Sequence, residues 1–144
     1  MKAADLYDTD FAQWALQNAE LLRSKRFSEA DLEHIAEEIE DLGKRERHAL
    51  CSRLMRLMEH LLKWRFQPER RGASWRRTMV TQRIGIRRLL EENPSFRPAL
   101  AEMAVRAYSD AARLAVLATG LPPAVFPKDC PFTLDQLLDD EFLP

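Results

Sequence analysis

Residues 28–66 read SEADLEHIAEEIEDLGKRERHALCSRLMRLMEHLLKWRF. Apolar residues recur along this stretch at spacings of three and four: Leu32, Ile35, Ile39 and Leu42, then Leu50, Leu54, Leu57, Leu61 and Trp64. That is the period of an amphipathic helix. Ser28-Glu29-Ala30-Asp31 is close to a capping box, and Phe27 and Leu32 are placed as a hydrophobic staple. Pro68 stops the helix soon after Phe66. Thirty-nine helical residues would span roughly 58 Å. A compact chain of this size has a radius of gyration of about 15 Å. Such a helix must protrude or bend. Glycine costs about 1 kcal/mol relative to alanine inside a helix. The apolar stripe also lapses between Leu42 and Leu50, across Gly43 and Lys44-Arg45-Glu46-Arg47. We therefore expect a kink or short break near Gly43. A continuous helix there would point instead to a dimer that buries the overhang.

Working outward, a first helix is expected from Asp8 or Thr9 to Ser24. Asp8, Thr9 and Asp10 are its cap candidates, and Phe11, Trp14, Ala15, Asn18, Leu21 and Leu22 form its stripe. A third helix runs from Ser74, an ordinary N-cap residue, to Asn93. Its seam is Trp75, Met79, Gln82, Ile86 and Leu89, and Asn93-Pro94 ends it. A fourth runs from Ser95 or Pro98 to Thr119, with Gly120 as its left-handed terminator. Its seam, Leu100, Ala104, Ala107, Ala111, Leu114 and Ala118, is alanine-rich and permits close approach of a neighbour. Thr133-Leu134-Asp135-Gln136 is a capping box for a last short helix. No stretch alternates in the manner of a strand. The expected fold is all-α and four-helix bundle-like: an N-terminal helical hairpin, a long second helix kinked near Gly43, and an extended tail. It forms one domain, with a helical body over 7–120 and a proline-containing acidic tail over 121–144. Phe132, Leu134, Leu137, Leu138 and Phe142 anchor that tail.

Several motifs in this order resemble the bacterial family catalogued as domain of unknown function 29. They are Tyr7-x-x-Asp10-Phe11-x-x-Trp14, Glu37-Glu38-Ile39-Glu40-Asp41-Leu42-Gly43, His60-Leu61-Leu62-Lys63-Trp64, Gln67-Pro68-Glu69-Arg70, Ser74-Trp75-x-x-Thr78 with Gln82-Arg83, and Cys130-Pro131-Phe132-Thr133. The resemblance covers Tyr7 to Phe142, with Met79 in place of an expected isoleucine as a minor departure. It implies a small all-helical bacterial protein and carries no activity with it.

A length of 144 residues with 46% hydrophobic and 31% charged residues, and a mean hydropathy of −0.40, suits one soluble domain with a real core. No run is long enough to cross a bilayer. The opening residues, MKAADLYDTDFAQW, lack the apolar stretch of a signal peptide. A cytoplasmic location without membrane contact is expected. Cys51 and Cys130 lie far apart and form no CxxC, so neither a disulfide framework nor a redox motif is expected. Cys51 reads as a small core hydrophobe.

The net charge of −1 conceals a division. From Asp5 to Asp41 there are eleven acids against three bases, and from Lys63 to Arg88 nine bases against one acid, Glu69. The basic segment is the leading candidate for anion or nucleic-acid binding, through Lys63, Arg70, Arg71, Arg76, Arg77 and Arg83. The Arg70-Arg71-Gly72 connection and the helix start beyond it would present guanidinium and backbone N–H groups to phosphate. Against this, a pI near 6.3 is far from basic, and Trp64 and Trp75 sit on apolar seams.

Catalytic chemistry has thinner support. The run Glu37, Glu38, Glu40 and Asp41 has the residue types to hold Mg²⁺ or to act as acid and base. Its plainer reading is a solvated face paired with nearby arginines. His34, His48 and His60 are 14 and 12 residues apart on one helix, roughly 21 and 18 Å, and cannot share a metal unless that helix folds back sharply. His34 reads as a surface residue. No metal site, no cofactor and no phosphate loop is expected. An enzyme would have to join Glu38 or Glu37 to His60 or Arg83 in one pocket. Three function classes follow: an interaction or regulatory protein binding a protein partner or itself, a nucleic-acid binder, and an acid/base or metal-dependent enzyme built on Glu38 and His60.

Overall fold

The Leu50, Leu54, Leu57, Leu61 repeat forms a helix because each apolar side chain returns to one face every three or four residues. All four are fully buried in the structure, a computed structural model describing residues 3–144. Each such leucine contributes on the order of 2 kcal/mol by leaving water. The helices are α1 (Leu6–Thr9), α2 (Phe11–Arg23), α3 (Leu32–Phe66), α4 (Ala73–Glu92), α5 (Leu100–Thr119) and α6 (Leu134–Leu138). No strand occurs among the described residues. The packing resolves into two compact units, Met1–Arg45 and Glu46–Pro144.

The first unit holds α1, α2 and the opening of α3. Asp10 caps α2 by accepting a 3.1 Å hydrogen bond from the Gln13 amide. The helix ends with Lys25 at φ 59, where a left-handed residue lets the Arg26 amide reach the Leu21 carbonyl. The expected capping box at Ser28 is not used. Residues 27–30 form turns, and α3 starts at Leu32, four residues later than expected. Asp31 stands at the cap position instead, and its carboxylate accepts from the Trp14 indole and from His34, side chain and backbone, in the first turn of α3.

Helix α3 continues through Gly43 without a break. The expected short break at Gly43 therefore does not occur. One glycine costs about 1 kcal/mol, which flanking turns of hydrogen-bonded helix absorb.

The second unit carries the core. Leu50, Leu54, Leu57 and Leu61 of α3 meet Met79, Ile86 and Leu90 of α4 and Met103, Ala107 and Ala111 of α5. Alanines on α5 keep the helix faces smooth and the backbones close. Gly120, at φ 70, ends α5 in the left-handed conformation that its lack of a side chain permits. The tail returns over the bundle and inserts Phe126, Phe132 and Leu137 into the same core. Thr133 and Gln136 form the reciprocal capping box that opens α6. Helix α4 starts one residue before Ser74, with Gly72 at the cap position, so Ser74 is not the cap.

Candidate functional site

Glu38, the carboxylate singled out for acid/base chemistry, lies in the first unit within a closed set of partners. The Tyr7 hydroxyl donates to Glu38 Oε1 at 2.5 Å. That bond pushes the Tyr7 hydroxyl up to about 12. The Tyr7 ring stacks on His34, with centroids 3.8 Å apart and planes 10° apart. His34 Nδ1 lies 2.7 Å from Asp31 Oδ2, and Trp14 Nε1–H donates to the same oxygen at 2.9 Å. Asn18, buried, accepts from the Asp31 amide and donates to the Trp14 carbonyl. The hydrogen bond to Asp31 holds His34 above its ordinary value. Burial alone would push Asp31 up, but the bonds from Trp14 and His34 outweigh it and hold the carboxyl down. His34 is thus half-buried in a polar network, not a solvated surface residue. Glu37, Glu40 and Asp41 make no ion pair among the described residues, so the expected pairing with arginines is not made.

His60 belongs to the second unit. It is buried, and its Nδ1 lies 2.8 Å from the Arg56 carbonyl. A carbonyl only accepts, so Nδ1 carries the hydrogen. Burial lowers the His60 pKa and keeps the ring neutral at pH 7. This is a core histidine satisfied by its own helix.

The basic segment divides. Arg83 is 1% exposed. Its Nε and a terminal nitrogen donate to the Leu137 and Gln136 carbonyls, each at 3.0 Å. It clamps α6 onto α4 and is withdrawn from any anion, which corrects its place among the binding candidates. The sequence hid this role because nothing local distinguishes Arg83 from its exposed neighbours. Lys63 lies over the Trp75 ring, 4.9 Å from its centroid, and Arg71 lies over Trp64 while donating to the Trp64 carbonyl at 2.7 Å. Arg70, Arg76 and Arg77 are exposed, without ion pairs among the described residues.

Large apolar side chains are exposed in both units, Val105 and Leu117 among them in the second, and more densely in the first. Ile39 is 63% exposed, Leu42 58% and Leu16 70%, and Phe11 and Leu32 are half exposed. Trp14 and Asn18 are its buried residues. On α3, Leu32, Ala36, Ile39 and Gly43 share one open face, edged by Glu33 and Glu40. On α4, Val80 and Ile84 are about half exposed between Arg77 and Arg88, at spacings of three and four.

Residues 6–143 match the family described as Domain of unknown function DUF29. The chain belongs to the DUF29 family. No curated protein and no solved structure matches it. In this DUF29 chain, Tyr7, Asp10 and Trp14 of the first motif form the hairpin network and its cap, while Phe132 and Thr133 of the last seat the tail. Two grooves open on it. One, of about 860 Å³, lies in the first unit beside Gln17, Glu20 and Glu29. The other, of about 850 Å³, lies between α5 and residues 123–128. Neither is lined by Glu38 or His60. No group of three or more His, Cys, Asp or Glu side chains among the described residues has metal-binding geometry. No helix among them is long and apolar enough to cross a membrane.

Proposed function

We propose that this bacterial, cytoplasmic protein is a non-enzymatic interaction module that associates with a second copy of itself through its N-terminal hairpin. The observation that carries this reading is the open apolar face of α3, where Leu32, Ile39 and Leu42 stay half exposed or more. An amphipathic helix gains most of its stability from burying such a face. Contiguous exposed apolar surface with a charged rim is a mark of association. Charge selects the occupant. The Met1–Arg45 unit has eleven acids against six bases, a net charge of −5, and Glu46–Pro144 has twelve acids against sixteen bases, a net charge of +4. The α4 stripe of Arg77, Val80, Ile84 and Arg88 offers the complementary surface: apolar in the middle, basic at both ends. Two copies related by a twofold axis make this contact twice, hairpin on α4 and α4 on hairpin.

Light scattering on the eluting protein tests the reading. The wild-type chain is expected at twice its monomer mass across a range of concentrations and in moderate salt, and Ile39→Glu with Leu42→Glu at the monomer mass. A wild-type monomer at every concentration would refute it, even if another protein binds the hairpin.

A second reading has one observation in its favour. Arg70, just before α4, and Arg76 and Arg77 near its start are exposed and make no ion pair among the described residues. Nucleic-acid binding there predicts affinity that falls steeply with salt and weakens on Arg70→Ala with Arg76→Ala. Salt-independent binding, or none, removes it.

A further inference from the structure

The groove on the second unit lies away from the α4 stripe and has a different character. Its floor is Ala112 and Val116 of α5, both half-buried, and Phe126, which the tail inserts into the core. Its far wall is fixed. The Tyr108 hydroxyl donates a hydrogen bond to the Pro127 carbonyl across 19 residues of sequence, tying the returning tail to α5. The hydroxyl is thereby taken, and the groove is formed before any ligand arrives. Two cations, Arg113 on α5 and Lys128 at the end of the wall, line this space. Both are exposed, and neither forms an ion pair among the described residues. Asp110 and Asp129 stand nearby in sequence, and among the described residues they pair with neither. Ser109, one turn before Arg113 on the same face, adds a hydroxyl.

We propose that this groove binds a small single-chain amphiphile with an anionic head, its alkyl chain on Ala112, Val116 and Phe126 and its carboxylate at Arg113 and Lys128. The volume of about 850 Å³ lies within the range typical of small-molecule sites. An apolar floor alone would accept any hydrocarbon. Two uncompensated cations at its margin favour an anion over a neutral or cationic head of the same length. The ligand is a small molecule because the floor is short: Ala112 to Val116 is little more than one helical turn.

Decanoate, decanol and an acidic amphipathic peptide, each titrated into the full-length ¹⁵N-labelled chain below any micelle concentration, separate the possibilities. Decanoate is expected to saturate, with amide shifts centred on Ala112, Val116 and Phe126, and decanol to bind roughly tenfold more weakly. Arg113→Gln with Lys128→Gln should weaken decanoate about tenfold and leave decanol unchanged. Ala112→Phe, which fills the floor, should weaken both. The wild-type comparison stands even if a variant folds poorly. Equal affinity for decanoate and decanol overturns the proposal. So do shifts centred elsewhere, the absence of saturable binding, or a groove that takes the peptide and not decanoate.

Discussion

His34 and Arg83 show how far a side chain's surroundings can override its type. His34 is held above its ordinary pKa of 6.5 by Asp31, and Asp31 is held below its ordinary 3.8. The His34 contribution is complete below about pH 6.5 and is lost as pH rises through its folded value. The Asp31 contribution is complete above about pH 3.8 and is lost as pH falls through its folded value. The hairpin therefore has its fullest support in weak acid, between those limits. Amide exchange in α2, corrected for its intrinsic pH dependence, should be slower near pH 5.5 than near pH 8, and His34→Gln should erase the difference. A difference that persists in His34→Gln would assign it elsewhere. Arg83 makes an independent case. Arg83→Met leaves the Gln136 and Leu137 carbonyls without their donors and should cost about 2–4 kcal/mol in denaturant unfolding. Arg83→Lys should recover little, since one ammonium does not reproduce a planar fork spanning two carbonyls. A stability loss below about 0.5 kcal/mol would show that the clamp is not structural.

At the scale of the element, Gly43 is the informative position. It lies within α3, and a methyl group added there meets no atom within 4 Å. Gly43→Ala should therefore stabilise the chain by about 0.5–1 kcal/mol, the intrinsic helical difference between the two residues. Destabilisation by that substitution would mean the glycine serves a conformation other than this helix. The helices themselves were legible because their apolar positions repeat at three and four. Leu50, Leu54, Leu57 and Leu61 are buried where the periodicity places them, and so are Ile86 and Ala111. The same periodicity misled at Leu32, Ile39 and Leu42, which are equally regular and yet exposed. A stripe records that a face is apolar, not what covers it. The start of α3 was misread because Ser28 has the chemistry of a cap, while Asn18, thirteen residues from Asp31 in sequence, captures the Asp31 amide. Arg83 and Phe126 could not be placed because their partners lie across the fold.

On the scale of the whole molecule, the divided charge and the divided burial coincide. The unit with net charge −5 carries the exposed apolar face, and the unit with net charge +4 carries both the core and a basic apolar stripe on α4. Glu38 is held by Tyr7, and His60 by the carbonyl one turn before it. The proposed association between copies would use the open face, its acidic edge and its complement on α4 together. A charge exchange tests this most directly. One chain carries Glu33→Lys with Glu40→Lys, making its hairpin edge basic, and the other carries Arg77→Glu with Arg88→Glu, making its α4 stripe acidic. By sedimentation equilibrium, each chain alone should be monomeric and an equimolar mixture should form a dimer, because mixing restores both contacts. Chains that dimerise separately as the wild type does, or a mixture that stays monomeric, would contradict the account.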